Sequence, residues 1–326
     1  MGGYWIFLDK SSLKVSLMLS SVKNPISPWR GLSPARRSEA LAFYLWVTPW
    51  IIGFLIWQLW PLIESLYLGF TNYRLLNTPT FTGMANVERL LSDNRFWESL
   101  RVTAGYVIGV IPIGNAIALG AAMALAQKLR GVNIWRTIYF LPSVVSGVAA
   151  AVMWWYVFNP DAGLINSVLA GLGVKGPGWL TDPRWALISV IMIGWWSNIG
   201  TQVVVYLAGL KGIPASLYEA ASIDGASGVA RFRYITLPML SPTIFFLLIT
   251  GMISAFQVFD AAYAITDGGP NNATRFYIFN VYEEAFVHQN MGYASLLAWV
   301  LFVIILILTA LVFLFSRNRV YYESQA

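Results

Sequence analysis

Six runs of mostly apolar residues, at 43–70, 102–126, 138–158, 186–210, 239–259 and 293–315, alternate with polar connections. Each approaches or exceeds the roughly 20 residues that a helix needs to cross a hydrocarbon core, so the pattern predicts six membrane-spanning helices. The first run is overlong, and its tail from Glu64 to Phe70 is expected to leave the membrane as an interfacial turn. Pro49, Pro61, Pro112 and Pro142 lie in or at the ends of these runs, where neighbouring helices can satisfy the carbonyls a proline frees. An even number of crossings puts both termini on one side.

The connection at 211–238 has a pattern of its own. Pro214 suits a first helical turn, and Leu217, Ala220 and Ala221 recur at helical spacing. Gly225 can close that helix by adopting a left-handed backbone, helical character resumes around Val229 to Tyr234, and Pro238 opens the next apolar run. The expectation is a helix over 214–226, a bend and a second short helix. Connections this long that carry their own order tend to be functional.

Composition agrees with a membrane protein: 57% of residues are hydrophobic and 11% charged, against roughly 25% charged in soluble domains. The 15 tryptophans and 16 tyrosines suit a chain with two bilayer interfaces. Without cysteine there is no disulfide, palmitoyl anchor or thiol nucleophile, and the single histidine, His288, leaves little for a metal site. The net charge of +6 has a topological cause. With both ends cytoplasmic, 1–42, 127–137, 211–238 and 316–326 hold 14 of the 21 lysines and arginines, twice the number opposite, as the positive-inside rule requires. No basic cluster interleaved with aromatics points to nucleic acid. Residues 1–42 read as a basic cytoplasmic tail without a cleaved signal, and Met18 is a possible native start.

The string Glu219-Ala220-Ala221, Asp224-Gly225-Ala226, Phe232, Ile235 and Leu237-Pro238 resembles, position by position, the EAA loop in the membrane subunits of binding-protein-dependent ABC importers. Residues 43–70, the segment FTGMANVERLLSDNRFWESLRVT at 81–103, and Phe259, Asp260, Tyr263, Gly268-Gly269-Pro270 and Gly292-Tyr293-Ala294 extend the similarity over nearly everything after residue 40. The nearest group is the first of two permeases in the maltose, lactose and glycerol-phosphate type of importer. The resemblance implies an all-α, six-helix permease domain over 43–326, the type I ABC importer permease fold. It implies that Glu219, Ala220, Ala221, Asp224, Gly225 and Ala226 couple the chain to a cytoplasmic ATPase dimer. It also implies a second, related permease, an extracytoplasmic solute-binding protein, a sugar substrate and a bacterial-type inner membrane.

A translocation path needs polar groups at membrane depth, and lipid cannot satisfy them. Ser197, Asn198, Thr201 and Gln202 precede the loop, and Thr250, Ser254 and Gln257 follow it. Gly194, Asn198 and Thr201 share one helical face, and Gly251, Ser254, Ala255 and Val258 form a comparable stripe. Carrying the sugar-facing positions of maltose-type permeases onto this chain lands on Ser197, Asn198, Thr201, Ser254, Ala255 and Val258. Small and polar residues at such spacing also pack membrane helices together, so spacing alone leaves both readings open. Trp154, Trp155, Trp195 and Trp196 could stack on a pyranose or anchor at an interface. Asp260 reads as a structural hydrogen-bonding residue, and Gly268-Gly269-Pro270-Asn271-Asn272 as a turn.

Catalysis has little to stand on. No phosphate-cradling G-x-x-x-x-G-K-[ST] string is present, so ATP hydrolysis is assigned to another chain and no cofactor is expected. Glu283 and Glu284 are adjacent and read as a solvated face rather than a catalytic pair. An ion-coupled secondary transporter, the main alternative, would need a titratable group at midplane, and none is evident. A permease for a non-sugar solute such as glycerol phosphate is the closer alternative.

Overall fold

The computed structural model describes residues 34–127 and 131–316, and contains no strand among them. The expectations of a start at Met18 and of no cleaved signal lie outside the described residues. The chain divides at Glu64 into two units. The first unit contains α1 (Pro34–Phe54), a wide π turn (Leu55–Leu59) and the beginning of α2 (Trp60–Leu68). Pro61 supplies no N–H for the carbonyl four residues back, at Trp57, and the widened turn surrounds that position. Helix persists through Glu64 to Leu68, so the expected interfacial turn begins only at Gly69.

In the second unit α3 (Ala85–Ser92), α4 (Asn94–Leu125), α5 (Val132–Phe140), α6 (Gly147–Val157), α7 (Leu164–Gly171) and α8 (Pro183–Lys211) precede the loop. Then come α9 (Ala215–Ile223), α10 (Gly228–Arg231), α11 (Ser241–Phe256), α12 (Tyr277–Tyr282) and α13 (Met291–Ser316). The longest helices have clear starts. The Asp93 carboxylate accepts from Arg95 N at 2.9 Å, and Asp182 does the same from Arg184 N at 2.9 Å beside Pro183 in the first turn.

Helices α4 and α8 form the centre of this unit, and small residues explain why. A Cβ at Gly105 would lie 3.4 Å from Leu187, one at Gly109 2.5 Å from Ile191, and one at Gly194 2.5 Å from the Tyr106 hydroxyl. Gly105 and Gly109 are a G-x-x-x-G pair, the spacing that lets helix backbones approach where lipid supplies no hydrophobic drive between them. Buried polar groups finish the seam: Tyr206 Oη donates to Asn115 Oδ1 at 2.8 Å, and Asn115 Nδ2 donates to Ile111 O at 2.9 Å. On the other side of α4, Tyr277 N donates to Thr103 Oγ1 at 2.8 Å and Tyr277 Oη to Leu297 O at 2.8 Å, tying α12 to α4 and α13.

Among the described residues four helical stretches are long and apolar enough to cross a membrane, Ser38–Leu68, Asn94–Leu125, Pro183–Lys211 and Met291–Ser316. The other two expected crossings are bent pairs: Val132–Val144 with Gly147–Val157 at 103°, and Gly228–Met239 with Ser241–Phe256 at 62°. The run at 138–158 is therefore not one straight helix. Val145 is extended, and Ser146 caps α6 by accepting from Ala149 N at 3.4 Å, so the chain restarts a helix in a new direction.

The outer polar segments correct a second expectation. Glu284 is 3% exposed rather than solvated, and its carboxylate accepts from Arg89 Nη2 at 2.9 Å and Asn290 Nδ2 at 3.0 Å, with His288 Nδ1 at 3.3 Å. The Arg89 guanidinium lies 3.8 Å over the ring of Tyr293, whose hydroxyl donates to Asp93 at 2.7 Å. Glu283 pairs separately with Arg275 at 2.7 Å. Residues 267–272 form the expected turn, with positive φ at Asp267, Gly268, Asn271 and Asn272.

Candidate functional site

Helix α8 presents three faces. One packs on α4; a second carries Gly194, Trp195, Asn198, Thr201, Gln202 and Val205, at spacings of one, three and four residues. Facing it from α11 are Phe246, Leu247, Thr250, Gly251, Ser254 and Ala255, with Val258 just past the helix end. Between them lies a cavity of about 440 Å³, whose floor is the α4 face of Tyr106, Val110, Ile111 and Gly114. Five of the six expected path residues, Asn198, Thr201, Ser254, Ala255 and Val258, line it. Ser197 lines an adjoining space of about 160 Å³ that shares Tyr106, Gly194, Asn198 and Val258 with the first.

The walls are mostly apolar, and the polar groups among them carry no formal charge. Asn198 Nδ2 donates to Gly194 O at 2.8 Å, which holds the amide against its own helix, and Oδ1 has no hydrogen-bond partner among the described residues. Ser197, Thr201, Gln202 and Ser254 make no side-chain hydrogen bond with the described residues. Thr250 is different: its hydroxyl turns back to Phe246 O at 2.8 Å. Trp195 Nε1 donates to Gly109 O at 3.2 Å, which fixes the indole as a wall, whereas Trp154 packs against Phe158 and Trp196 away from this space.

Tyr106 was not among the expected path residues. It is 5% exposed, borders both cavities, and its hydroxyl has no hydrogen-bond partner among the described residues. Gly194 makes room for it, since a Cβ there would fall 2.5 Å from Oη. The one sequence signal was a phenol in the middle of an apolar run, between the two glycines that face α8. Asp260 lines the smaller space, and its carboxylate receives no hydrogen bond from the described residues.

The loop at 211–238 lies at the far end of α8. Pro214 sits just before α9 rather than in its first turn, and α9 ends at Ile223. Gly225 has φ +72°. Gly225 N donates to Ser222 O at 3.2 Å and Ala226 N to Ala221 O at 2.8 Å, a Schellman closure that only a left-handed residue permits. Ser227 then caps α10 by accepting from Ala230 N at 3.2 Å. The helix continues through a wide turn at Phe232–Thr236, around the Tyr234 carbonyl to which Pro238 cannot donate. Two side-chain bridges brace the pair: Tyr218 Oη with Thr236 Oγ1 at 2.9 Å, and Arg231 Nη1 to Ser222 Oγ at 3.1 Å. Glu219, Ala220, Asp224 and Gly225 are exposed and Ala221 and Ala226 half-buried, while Ile223 is 87% and Val229 77% exposed.

Residues 116–321 match the family model described as "Binding-protein-dependent transport system inner membrane component". A probable ABC transporter permease protein, YesP of Bacillus subtilis (strain 168), is 41% identical over 294 residues, 89% of this chain and 94% of the relative. The lactose transport system permease protein LacF of Rhizobium radiobacter is 36% identical over 282 residues, 85% and 94% of the two chains. Among solved structures, a chain of a bacterial ABC transporter involved in the import of the acidic polysaccharide alginate superposes with a TM-score of 0.76 at 23% identity, covering 86% of this chain and 96% of that one.

Proposed function

This chain belongs to the binding-protein-dependent transport system inner membrane components, and we propose from that premise that it forms the translocation path for a sugar in an ABC importer. The observation that carries the reading is the convergence of neutral polar groups from α8, α11 and α4, several without a partner among the described residues, on one cavity of about 440 Å³. Ligand sites of that scale combine apolar walls with a few placed polar groups, which suits a saccharide with hydroxyls at its rim and C–H faces. The lining holds no lysine, arginine or histidine, and Asp260 in the adjoining space is an acid. A neutral sugar therefore fits better than a phosphate ester.

Its partners, in this reading, are a second related permease, a cytoplasmic ATPase dimer docked on α9 and α10, and a solute-binding protein on the opposite side. Membrane lipid surrounds the apolar spans, and both termini face the cytoplasm. Glu219, Ala220, Ala221, Asp224, Gly225 and Ala226 form the coupling element, and α8 and α11, which flank the loop, carry its motion to the cavity.

The reading is tested by reconstituting the four components in liposomes and following ATP-driven uptake of labelled neutral saccharides. Asn198→Ala should slow uptake several-fold, about 1 kcal/mol for a lost hydrogen bond to a neutral partner, without loss of subunit assembly. Gly194→Val should cost more, because its Cβ displaces the Tyr106 hydroxyl. Unchanged uptake of every saccharide in both variants would remove the cavity from the path. Orientation is tested separately with single cysteines at Leu172 and Val229, both exposed, in this cysteine-free chain. An impermeant thiol reagent outside intact cells should label position 172 and spare 229; the reverse pattern overturns the topology.

A further inference from the structure

The third face of α8 carries the stripe Gly200, Val203, Val204, Leu207, Ala208 and Lys211, and it borders a groove of about 650 Å³ whose other wall is α5. The groove is closed at one end. At Gly200 the two helices meet backbone to backbone, since a Cβ there would lie 2.7 Å from Tyr139 O and 3.0 Å from Phe140 Cα. From that point to Lys211 is eleven residues, about 16 Å of helix. One leaflet of a hydrocarbon core is about 15 Å deep, so the groove is one acyl chain long.

Its walls are apolar except where two cations enter. Helical side chains lean toward their own N-terminus, so Arg136 on α5 leans toward the face bearing loop 211–238, while Lys211, the last residue of α8, leans back into the groove. Neither forms an ion pair with the described residues, and no acidic side chain lines the groove. Arg136 Nε is buried without an acceptor among the described residues, so no carboxylate among them meets this guanidinium there. A phosphate diester complements the two cations of the lining, because guanidinium and ammonium groups both bind its oxygens in charge-assisted hydrogen bonds. Basic pockets between membrane helices on this side are the setting in which anionic headgroups bind.

We propose that this groove holds one anionic phospholipid of the leaflet beside loop 211–238, with its phosphate between Arg136 and Lys211 and one acyl chain running along the α8 stripe toward Gly200. Free phosphate would leave the apolar length of the groove unfilled. A helix of the second permease would need an acidic residue to meet the two cations, and that occupant is an outcome of the test.

The experiment uses the assembled transporter, extracted from membranes and exchanged into nanodiscs of phosphatidylcholine containing a minor fraction of phosphatidylglycerol with a photoreactive acyl chain. In the unmodified protein the label should attach to peptides containing Val204 or Tyr139, with phosphatidylglycerol enriched over labelled phosphatidylcholine. Arg136→Gln with Lys211→Gln should abolish the enrichment. Val204→Trp, which keeps both cations and fills the groove, should abolish attachment in this region and serves if the charge variant fails to assemble. Equal attachment of the two lipids in the unmodified protein, or undiminished enrichment in either variant, overturns the site. So does a disulfide between Val204→Cys and a cysteine on the second permease. None of these readouts depends on which solute is transported.

Discussion

Replacing Gly225 with valine should leave the protein inserted in the membrane and reduce transport by about tenfold or more, a factor that corresponds to about 1.4 kcal/mol. The glycine has φ +72°, and a left-handed backbone costs an ordinary L-residue about 1–2 kcal/mol, more for a β-branched one. Nothing lies within 4 Å of where its Cβ would be, so the cost is conformational and not a clash. Relieving the strain breaks the closing bonds from Gly225 N and Ala226 N, and the end of α9 with Glu219, Ala220 and Ala221 shifts away from the docking position proposed above. A conformational cause predicts an order of severity. Gly225→Asn, which tolerates the left-handed region, should transport best, Gly225→Ala should be intermediate, and Gly225→Val worst. Glu219→Ala, which leaves the backbone intact, should show a milder form of the same defect. Uptake and substrate-stimulated ATP hydrolysis in the reconstituted importer measure both steps. Wild-type values of both in Gly225→Val would sink the coupling role of the loop.

The second large effect is expected far from the cavity. Arg89→Met removes the cation from Glu284, whose side chain is 4% exposed, and leaves a buried carboxylate with Asn290 and His288 as its remaining partners. Breaking a buried pair from one side costs roughly 3–5 kcal/mol, and because Arg89 itself is 43% exposed the low end applies. Arg89 also covers the Tyr293 ring, so the start of α13 loses a packed neighbour together with the charge. The variant should extract from membranes in lower yield and melt earlier than wild type. Adding Glu284→Gln to Arg89→Met should recover part of the loss, because a neutral amide is cheaper to bury than a lone carboxylate. If the double variant is as unstable as the sum of the two single changes, the pair is not energetically coupled.

Local rules made much of this protein legible before any coordinates. The apolar runs at 186–210 and 293–315 became α8 and α13 within a few residues, and the run at 102–126 became the body of α4, which starts eight residues earlier at Asn94, because length and hydropathy alone decide what can lie in lipid. Gly225 was readable as a helix stop because the left-handed closure depends on the residue's own backbone, and the stripes Gly194, Asn198, Thr201 and Gly251, Ser254, Ala255 were readable because 3.6 residues per turn puts them on one face. The run at 138–158 misled for the same reason: composition records that a segment is apolar, but a single cap at Ser146 turns it through 103°.

What only the tertiary structure decided is which faces meet. Glu284 looked solvated beside Glu283, and it is buried because Arg89, 195 residues away, comes to it. The sequence marks Tyr106 only as a phenol between two glycines of an apolar run; it becomes a cavity residue because Gly194, on another helix, omits the side chain that would fill its place. The groove at Arg136 and Lys211 likewise requires α5 and α8 to touch at Gly200 and then diverge. Sequence spacing fixes the angle at which a side chain leaves its own helix, through interactions a few residues long. Whether that side chain then faces lipid, a neighbouring helix or an open cavity depends on packing between segments tens of residues apart, and that is set by the sum of many contacts that no short window contains.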